Sequence, residues 1–457
     1  VADPILFFST NRASPSVTLA EALLQGQAPD RGLYMPSRVP TLDRSELQEM
    51  ATLPYPEVAH RVLRRFTAGV IPEDRLLALC RDAYNYDVPL EEVEARRFVM
   101  RLDRGPTASF KDFAARMMAR WMGVLMEHSR EELVILTATS GDTGSAVAHA
   151  YHGVPRVRVV VLFPVREVST RQRKQMTTLG GNVATFALDG KFDDCQALVK
   201  RAFADAALRG INLSSANSIN IGRLLPQAVY YVYAYTRLAR VADGEPVVFS
   251  VPSGNFGDMM GAVLAGRMGV PISRLVIATN ANDEVVRFLA DGRYQKVAPS
   301  RECISNAMNV GHPSNLARLV EVYGGQMDEN GVLQHPPDLP RMRRDLYAVS
   351  ISDDETRSTI RDAYRRHNLL LEPHGAVGWA GLARYLADNP AAAGSLCVSV
   401  ETAHPAKFPE EIKAVVGVDP AVPPALEGLE TRPEHYEALG PAYGSFRDLL
   451  LARYRPS

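Results

Sequence analysis

Apolar positions along this chain follow two different patterns. Up to about residue 95 they recur at helical spacing in segments broken by Pro36, Pro40, Pro54, Pro56 and Pro72, which predicts a mostly helical N-terminal part. After Arg97, short runs of consecutive apolar and β-branched residues alternate with longer helical stretches. The clearest runs are 133–137, 157–163, 246–251, 275–279 and 396–400. Runs that are apolar at every position suit strands buried on both faces. Strands alternating with helices predict an α/β fold with a largely parallel sheet.

Three of these strands run into small, polar loops: 138–144, 252–258 and 401–405. In open parallel sheets ligands bind beyond the carboxyl ends of strands, so the three loops are expected to share one site.

The segment 105–113 leads into a helix whose apolar face is Phe110, Phe113, Ala114, Met117, Trp121 and Leu125. Ser109 and Asp112 have the spacing of a capping box, which puts Lys111 in the first helical turn. A cation there faces the positive end of the helix dipole, so the neutral amine is favoured. A neutral lysine amine is what imine formation with an aldehyde requires. A solvated surface lysine is the plainer alternative, but Phe110 and Phe113 on either side argue against it.

Ser253-Gly254-Asn255-Phe256-Gly257 precedes a helix with apolar residues at Met259, Met260, Val263, Leu264 and Met268. Converging N–H groups at a helix N-terminus suit a phosphate. The loop lacks the lysine of a P-loop and is not GxGxxG, and a plain strand-to-helix turn has the same composition. Ser140-Gly141-Asp142-Thr143-Gly144 has the same layout and suits a carboxylate, provided Asp142 points elsewhere.

Composition narrows the function classes. Of 457 residues, 46% are hydrophobic and 23% charged, and 51 Lys+Arg against 52 Asp+Glu give a net charge of -1. Such a chain has no global electrostatic reason to bind nucleic acid or an anionic membrane. No apolar run approaches the roughly 20 residues that span a bilayer. Residues 1–8 lack a basic stretch ahead of a long apolar run, so no signal peptide is predicted. Cys80, Cys195, Cys303 and Cys397 are far apart in sequence. They are expected to be reduced thiols of a cytoplasmic protein, Cys397 in the core, with no metal site.

The segments 107–113, 138–144 and 252–258 resemble the signature segments of threonine synthases, pyridoxal-phosphate enzymes of fold type II. Segments 16–36, 192–200, 217–227, 278–283 and 372–378 are similar to further family segments in the same order. The likeness covers nearly the whole chain and points to the longer bacterial and fungal branch. It implies mainly parallel sheets in a large and a small domain beside the helical N-terminal one. The expected boundaries are 1–96, then 97–127 with 218–457 for the large cofactor domain, and 128–217 for the small one.

By this resemblance Lys111 holds pyridoxal 5'-phosphate covalently and acts as the base. Ser253, Gly254, Asn255, Phe256, Gly257 and Asp258 surround the cofactor's phosphate. Thr402 sets its hydroxyl on the ring nitrogen, where it can donate or accept and does not force the nitrogen to stay protonated. Thr139, Ser140, Gly141, Asp142 and Thr143 face the substrate.

The implied reaction turns O-phospho-L-homoserine and water into L-threonine and phosphate. The substrate's phosphate then needs a second anion site, with Arg171, Arg173, Lys174, Arg223 and Lys407 as candidates. His374 and His404 read as structural rather than acid–base groups. Tyr230, Tyr231, Tyr233 and Tyr235 read as helix packing or an oligomer contact. The expected partner is a phosphorylated amino acid, bound by a monomer or homodimer.

Three departures from the family pattern bear on substrate choice. Residues 9–13 are Ser-Thr-Asn-Arg-Ala rather than beginning Ser-Thr-Arg-Gly. Asn309 follows Met308 where aspartate is common. Residues 165–171 lack the usual lysine and glycine. They favour one alternative, a paralogous phospho-lyase acting on a related phosphorylated or phosphonate amino acid; a second alternative, a silent ligand-sensing relative, is argued against by the intact Lys111, Thr402 and Gly254–Gly257.

Overall fold

A computed structural model describes residues 4–455; the first three residues of the stretch read for a leader lie outside it. The N-terminal part places a small antiparallel pair, β1 (Phe7–Ser9) and β2 (Tyr34–Pro36), among α1 (Leu19–Gln25), α2 (Arg44–Met50), α3 (Tyr55–Thr67) and α4 (Glu73–Ala83). Capping boxes start α1 and α2, with Thr18 paired to Glu21 and Asp43 to Glu46, while α3 and α4 follow Pro54 and Pro72.

The remaining chain contains β3 (Leu90–Glu94), β4 (Arg97–Arg101), α5 (Lys111–Met126), β5 (Leu133–Ala138), α6 (Asp142–Tyr151), β6 (Val157–Pro164) and α7 (Thr170–Thr177). Next come β7 (Val183–Leu188), α8 (Phe192–Ala204), β8 (Leu213–Ser214), α9 (Gln227–Leu238), β9 (Val247–Pro252), α10 (Gly257–Arg267) and β10 (Ile272–Thr279). The last elements used below are β11 (Leu346–Ser350), α11 (Pro373–Asp388), β12 (Leu396–Glu401), β13 (Glu437–Leu439) and α12 (Tyr443–Tyr454). All five apolar runs are strands.

They sort into two sheets. The larger has the order β11-β10-β9-β12-β4-β3, parallel except for β3, which returns antiparallel on β4. The smaller has the order β13-β7-β6-β5-β8 and is parallel throughout. The α/β class and the parallel sheets expected from the apolar runs are both present. No helix of the described residues is long and apolar enough to cross a membrane.

The C-terminal segment departs from the expected division. β13 pairs with β7, and Phe446 and Leu450 of α12 share a core with Cys195, Leu198 and Val199 of α8. Residues 437–454 therefore pack on the small sheet, not on the large unit to which 218–457 was assigned. The large sheet also begins at Leu90, inside the expected N-terminal segment 1–96.

Adjacency in the large sheet builds the site. β4, β12 and β9 are neighbours running the same way, so the segments that leave their carboxyl ends emerge side by side. From β4 the chain continues to Lys111, from β12 to Thr402, and from β9 to Ser253. A core shared with the N-terminal part supports this edge. Phe113 sits among Tyr55, Tyr84, Tyr86 and Tyr230 with ring centroids 5.1–5.9 Å apart, a spacing at which aromatic pairs attract.

Candidate active site

Lys111 is the first residue of α5. The expected capping box does not form. Asp112 instead accepts from the N–H and hydroxyl of Thr107 at 2.8 and 2.7 Å, and Ser109 Oγ is buried without a partner among the described residues. Main-chain pairing across to β12 sets the helix start: Phe110 N–H donates to Thr402 O at 2.8 Å and His404 N–H to Ala108 O at 3.0 Å. That pairing binds Lys111 to the Thr402 segment.

The Lys111 amine lies 4.5 Å from the centre of the Phe110 ring and 4.0 Å from Asp142 Oδ2. Burial lowers its basicity, and the charges of Lys407 and Arg223 lower it further against the pull of Asp142 and Glu372. The amine is thus less basic than a free lysine, chiefly because it is buried.

The loop after β9 leaves the same edge of the sheet two strands away. The main-chain N–H groups of Gly254, Asn255 and Phe256 donate to no described residue, and α10 begins immediately behind them. Phe256 holds a left-handed conformation with φ 63°, which turns successive N–H groups toward one point. The cradle is braced from outside. Asn255 Nδ2 donates to Ser218 Oγ at 2.8 Å, and Asn255 Oδ1 accepts from the N–H and hydroxyl of Ser314 at 2.7 and 2.8 Å. Ser253 turns its hydroxyl to Val251 O at 2.9 Å. A Cβ on Gly254 would come within 2.8 Å of Met308 Cα, so only glycine fits. Free donors at a helix start suit a phosphate dianion.

Asp258 lies next to this cradle without opposing an anion. Tyr230 and Tyr231 donate to its Oδ1 at 2.5 and 2.7 Å, and burial pushes its carboxyl up to about 6. Tyr230, Tyr231 and Tyr235 are buried in α9, so the tyrosine stripe is helix packing, as expected, with two hydroxyls that also secure Asp258.

Thr402 is buried at the end of β12 and donates to Glu372 Oε1 at 3.1 Å. Glu372 caps α11. His374 Nδ1 meets Glu372 Oε2 at 2.5 Å, and His374 Nε2 accepts from Ala307 N–H at 3.1 Å, a structural role. His404 also caps, accepting from Ala406 N–H at 3.1 Å; burial takes its imidazole down to about 4.

The loop after β5 comes from the small sheet. Thr139 Oγ1 accepts from the N–H groups of Gly141 and Gly144 at 2.9 and 2.7 Å. Ser140 and Thr143 are half-buried at the start of α6. Asp142 points into the site, where cations meet it: Lys407 Nζ lies at 2.6 Å and Lys111 Nζ at 4.0 Å, with Gln172 Nε2 at 2.9 Å. Burial would raise its carboxyl, but Lys407 and Lys111 outweigh burial and hold it below the usual range.

The candidate cations for the substrate's phosphate separate into two groups. Arg171 and Arg173 pair with Glu430 and Glu434, and Lys174 donates to Glu430 O at 2.6 Å; these three tie α7 to the chain at 430–434. Lys407 and Arg223 are buried near Lys111. Lys407 is held by Asp142 and by Thr107 O at 2.9 Å. Arg223 gives Nη1 to Ala216 O at 2.6 Å while its Nε stays without a partner among the described residues.

Of the three departures, only Asn309 borders the cradle, through the Ala307–Met308 turn that packs on Gly254. Arg12 pairs with Glu321. Asn309 spends its amide on Asn280 and Cys303, and residues 165–171 run from β6 into α7. Glu372 is the residue that the sequence reading missed. Its signal was a Glu-Pro helix start inside a family-like segment.

Comparison with known proteins agrees with this geometry. Residues 86–402 match the family model for pyridoxal-phosphate dependent enzymes, 6–84 that for the threonine synthase N terminus, and 375–448 that for the threonine synthase C-terminal region. A threonine synthase of Haemophilus influenzae is 38% identical over 445 residues, covering 97% of this chain and 99% of the relative. The structure of a PLP-bound threonine synthase from Brucella melitensis superposes with a TM-score of 0.90 at 34% identity, covering 99% of this chain and 100% of that one. That of the Escherichia coli threonine synthase gives 0.87 at 36% identity, covering 98% and 99%. With a buried helix-start lysine, a main-chain anion cradle and relatives matching from end to end, the chain belongs to the threonine synthase family of pyridoxal-phosphate dependent enzymes.

Proposed function

We propose that this enzyme converts O-phospho-L-homoserine and water into L-threonine and phosphate, using Lys111, the Ser253–Asp258 loop and Thr402 to hold pyridoxal 5'-phosphate. One observation carries the reading. A lysine amine of lowered basicity follows β4 and a cradle of unpartnered N–H groups follows β9, with the threonine hydroxyl at the end of β12, the strand between them. These residues fit the cofactor: Lys111 suits its aldehyde, the N–H groups of Gly254, Asn255, Phe256 and Gly257 its phosphate, and Thr402 its ring nitrogen. Bound there, the cofactor supplies an electron sink for negative charge that develops on the substrate's carbons.

The chain's own groups do the rest. Lys111, released when the substrate's amine takes its place, removes the Cα proton, its basicity lowered by burial. From the same position it serves the later proton transfers at Cβ and Cγ. The N-terminus of α6, with Thr139, Ser140, Gly141 and Thr143, receives the substrate's carboxylate. Asp142 keeps Lys407 beside Lys111, so Lys407 and Arg223 are the cations that serve the departing phosphate.

We read three units: the N-terminal part, the large sheet, and the small sheet with β13 and α12 added to it. Closure of the small unit on the large one would exclude water from all but the productive face. We read the enzyme as a monomer or a homodimer. Four free thiols suit a reducing, cytoplasmic setting.

The test is product identification. Holoenzyme incubated with O-phospho-L-homoserine should release phosphate and L-threonine in equal amounts. Faster phosphate release from another phosphorylated amino acid would make the enzyme a related phospho-lyase. Release from none would overturn the assignment.

A further inference from the structure

The hydrogen bonds behind Thr402 run in one direction, and that direction has a chemical consequence. Ala307 donates its N–H to His374 Nε2 at 3.1 Å, so that nitrogen carries a lone pair and the ring proton sits on Nδ1. His374 Nδ1 therefore donates to Glu372 Oε2, which also accepts His374 N–H at 2.8 Å. The other oxygen, Oε1, accepts Gly375 N–H at 2.9 Å and the Thr402 hydroxyl at 3.1 Å. A carboxylate offers about four acceptor sites. All are filled by donors, which leaves no place on Glu372 for a proton. Thr402 has one hydroxyl proton and has spent it, so only lone pairs remain for whatever lies in front of it.

We propose that Glu372 is a positioning residue that makes Thr402 a hydrogen-bond acceptor, so that this enzyme holds its cofactor with the ring nitrogen protonated. The inference rests on Thr402 facing that nitrogen, as in the function proposed above. It would make the cofactor a stronger electron sink than a threonine contact alone implies.

The surroundings hold Glu372 in this pattern. It is the N-cap of α11, and its carboxylate accepts the first N–H groups of that helix. The adjacent Glu401 accepts Glu372 N–H at 2.9 Å, and its other oxygen has no partner among the described residues. Burial, and then the charge on Glu372, raise the Glu401 carboxyl well above its usual range. The nearby guanidinium of Arg101 is bound to Asp103 at 2.5 Å. The loop that supplies Ala307 also closes on the phosphate cradle, with Ala307 O within 3.0 Å of a Cβ placed on Gly254. One loop thus sets both ends of the cofactor site.

The experiment is nitrogen NMR of holoenzyme loaded with cofactor labelled with ¹⁵N in the ring. The expected result is a ring nitrogen that stays protonated at neutral pH. Glu372→Gln should lower the pH at which that proton is lost by about one to two units, the size of a hydrogen bond to a charged group; Thr402→Ser should retain it. A wild-type resonance at the unprotonated position with the cofactor still attached to Lys111 overturns the inference and leaves the proposed function standing. That spectrum decides even if Glu372→Gln fails to fold. An Nε2–H tautomer for His374 in the apoenzyme would also overturn it. Absence of any lysine-linked cofactor would remove the proposed function together with this inference.

Discussion

The loops after β9 and β5 are alike in sequence and opposite in state. Each joins a buried parallel strand to a helix through glycines, and each has an aspartate in the first helical turn. After β9 the N–H groups of Gly254, Asn255 and Phe256 are unspent, and the nearby Asp258 is held by two tyrosines. After β5 two N–H groups are folded back on the Thr139 hydroxyl, and Asp142 is bound to two lysines. The first loop is organised before any ligand arrives, which lowers the ordering cost of binding. The second already spends part of its polar capacity within the protein. A tightly kept cofactor belongs to the first arrangement and an exchanging substrate to the second.

The strongest way to break this comparison is to remove the group between the loops. Lys111→Ala should reduce turnover by about a thousandfold or more, since one amine serves as both attachment and base. Borohydride reduction followed by mass spectrometry should place the label on Lys111 in the wild type and nowhere in the variant. Retained turnover would mean that the two loops do not serve a common centre.

The two aspartates give a smaller effect with opposite signs. Asp258 has its carboxyl pushed up to about 6 against a usual 3.8. The folded apoenzyme therefore binds more protons than the unfolded chain between those values, and stability falls as pH rises through that window. The gap of roughly two pH units corresponds to about 3 kcal/mol. Asp258→Asn should thus gain on the wild type as pH rises from 4 to 6. Asp142 lies below its usual range, so its contribution is present above the usual 3.8 and is lost as pH falls through the lowered value. Asp142→Asn should lose at neutral pH and recover only in strong acid. Urea midpoints across pH would read both, and like signs for the two variants would end the comparison.

Much of this contrast was legible beforehand, because the informative features are local. Consecutive apolar residues at 246–251 and 396–400 predict buried strands, and Lys111 ahead of an apolar helical face predicts a helix-start lysine. The features that escaped are long-range. Ser109 and Asp112 have capping-box spacing, but Phe110 N–H pairs with Thr402 O instead, a contact that local spacing cannot show. Arg171 and Arg173 carry the right chemistry for phosphate, yet Glu430 and Glu434, some 260 positions away, occupy them. β13 is three residues long, too short for a periodic signal, so its pairing with β7 was invisible. Glu372 reaches Thr402 across 30 positions.

The smallest changes sharpen the comparison most, because each alters one loop by a single group. On the β9 side, Gly254→Ala places a Cβ within 2.8 Å of Met308 Cα and 3.0 Å of Ala307 O. Overpacking of this kind costs about 1–3 kcal/mol, so cofactor affinity should fall by roughly five- to 150-fold. With saturating cofactor the KM for the phosphorylated substrate should change little. On the β5 side, Thr139→Val keeps the shape of the side chain and removes the acceptor of Gly141 and Gly144 N–H. Cofactor affinity should then be unchanged, and the substrate's KM should move by about tenfold, the worth of one buried hydrogen bond. The direction of that move carries the information. A fall in KM means that the Thr139 hydroxyl competes with the substrate for those donors, whereas a rise means that it holds the loop in the shape the substrate needs. A change in cofactor affinity equal to that of Gly254→Ala would instead show that the two loops act as one site, and the division between a preset half and an adjustable half would fail.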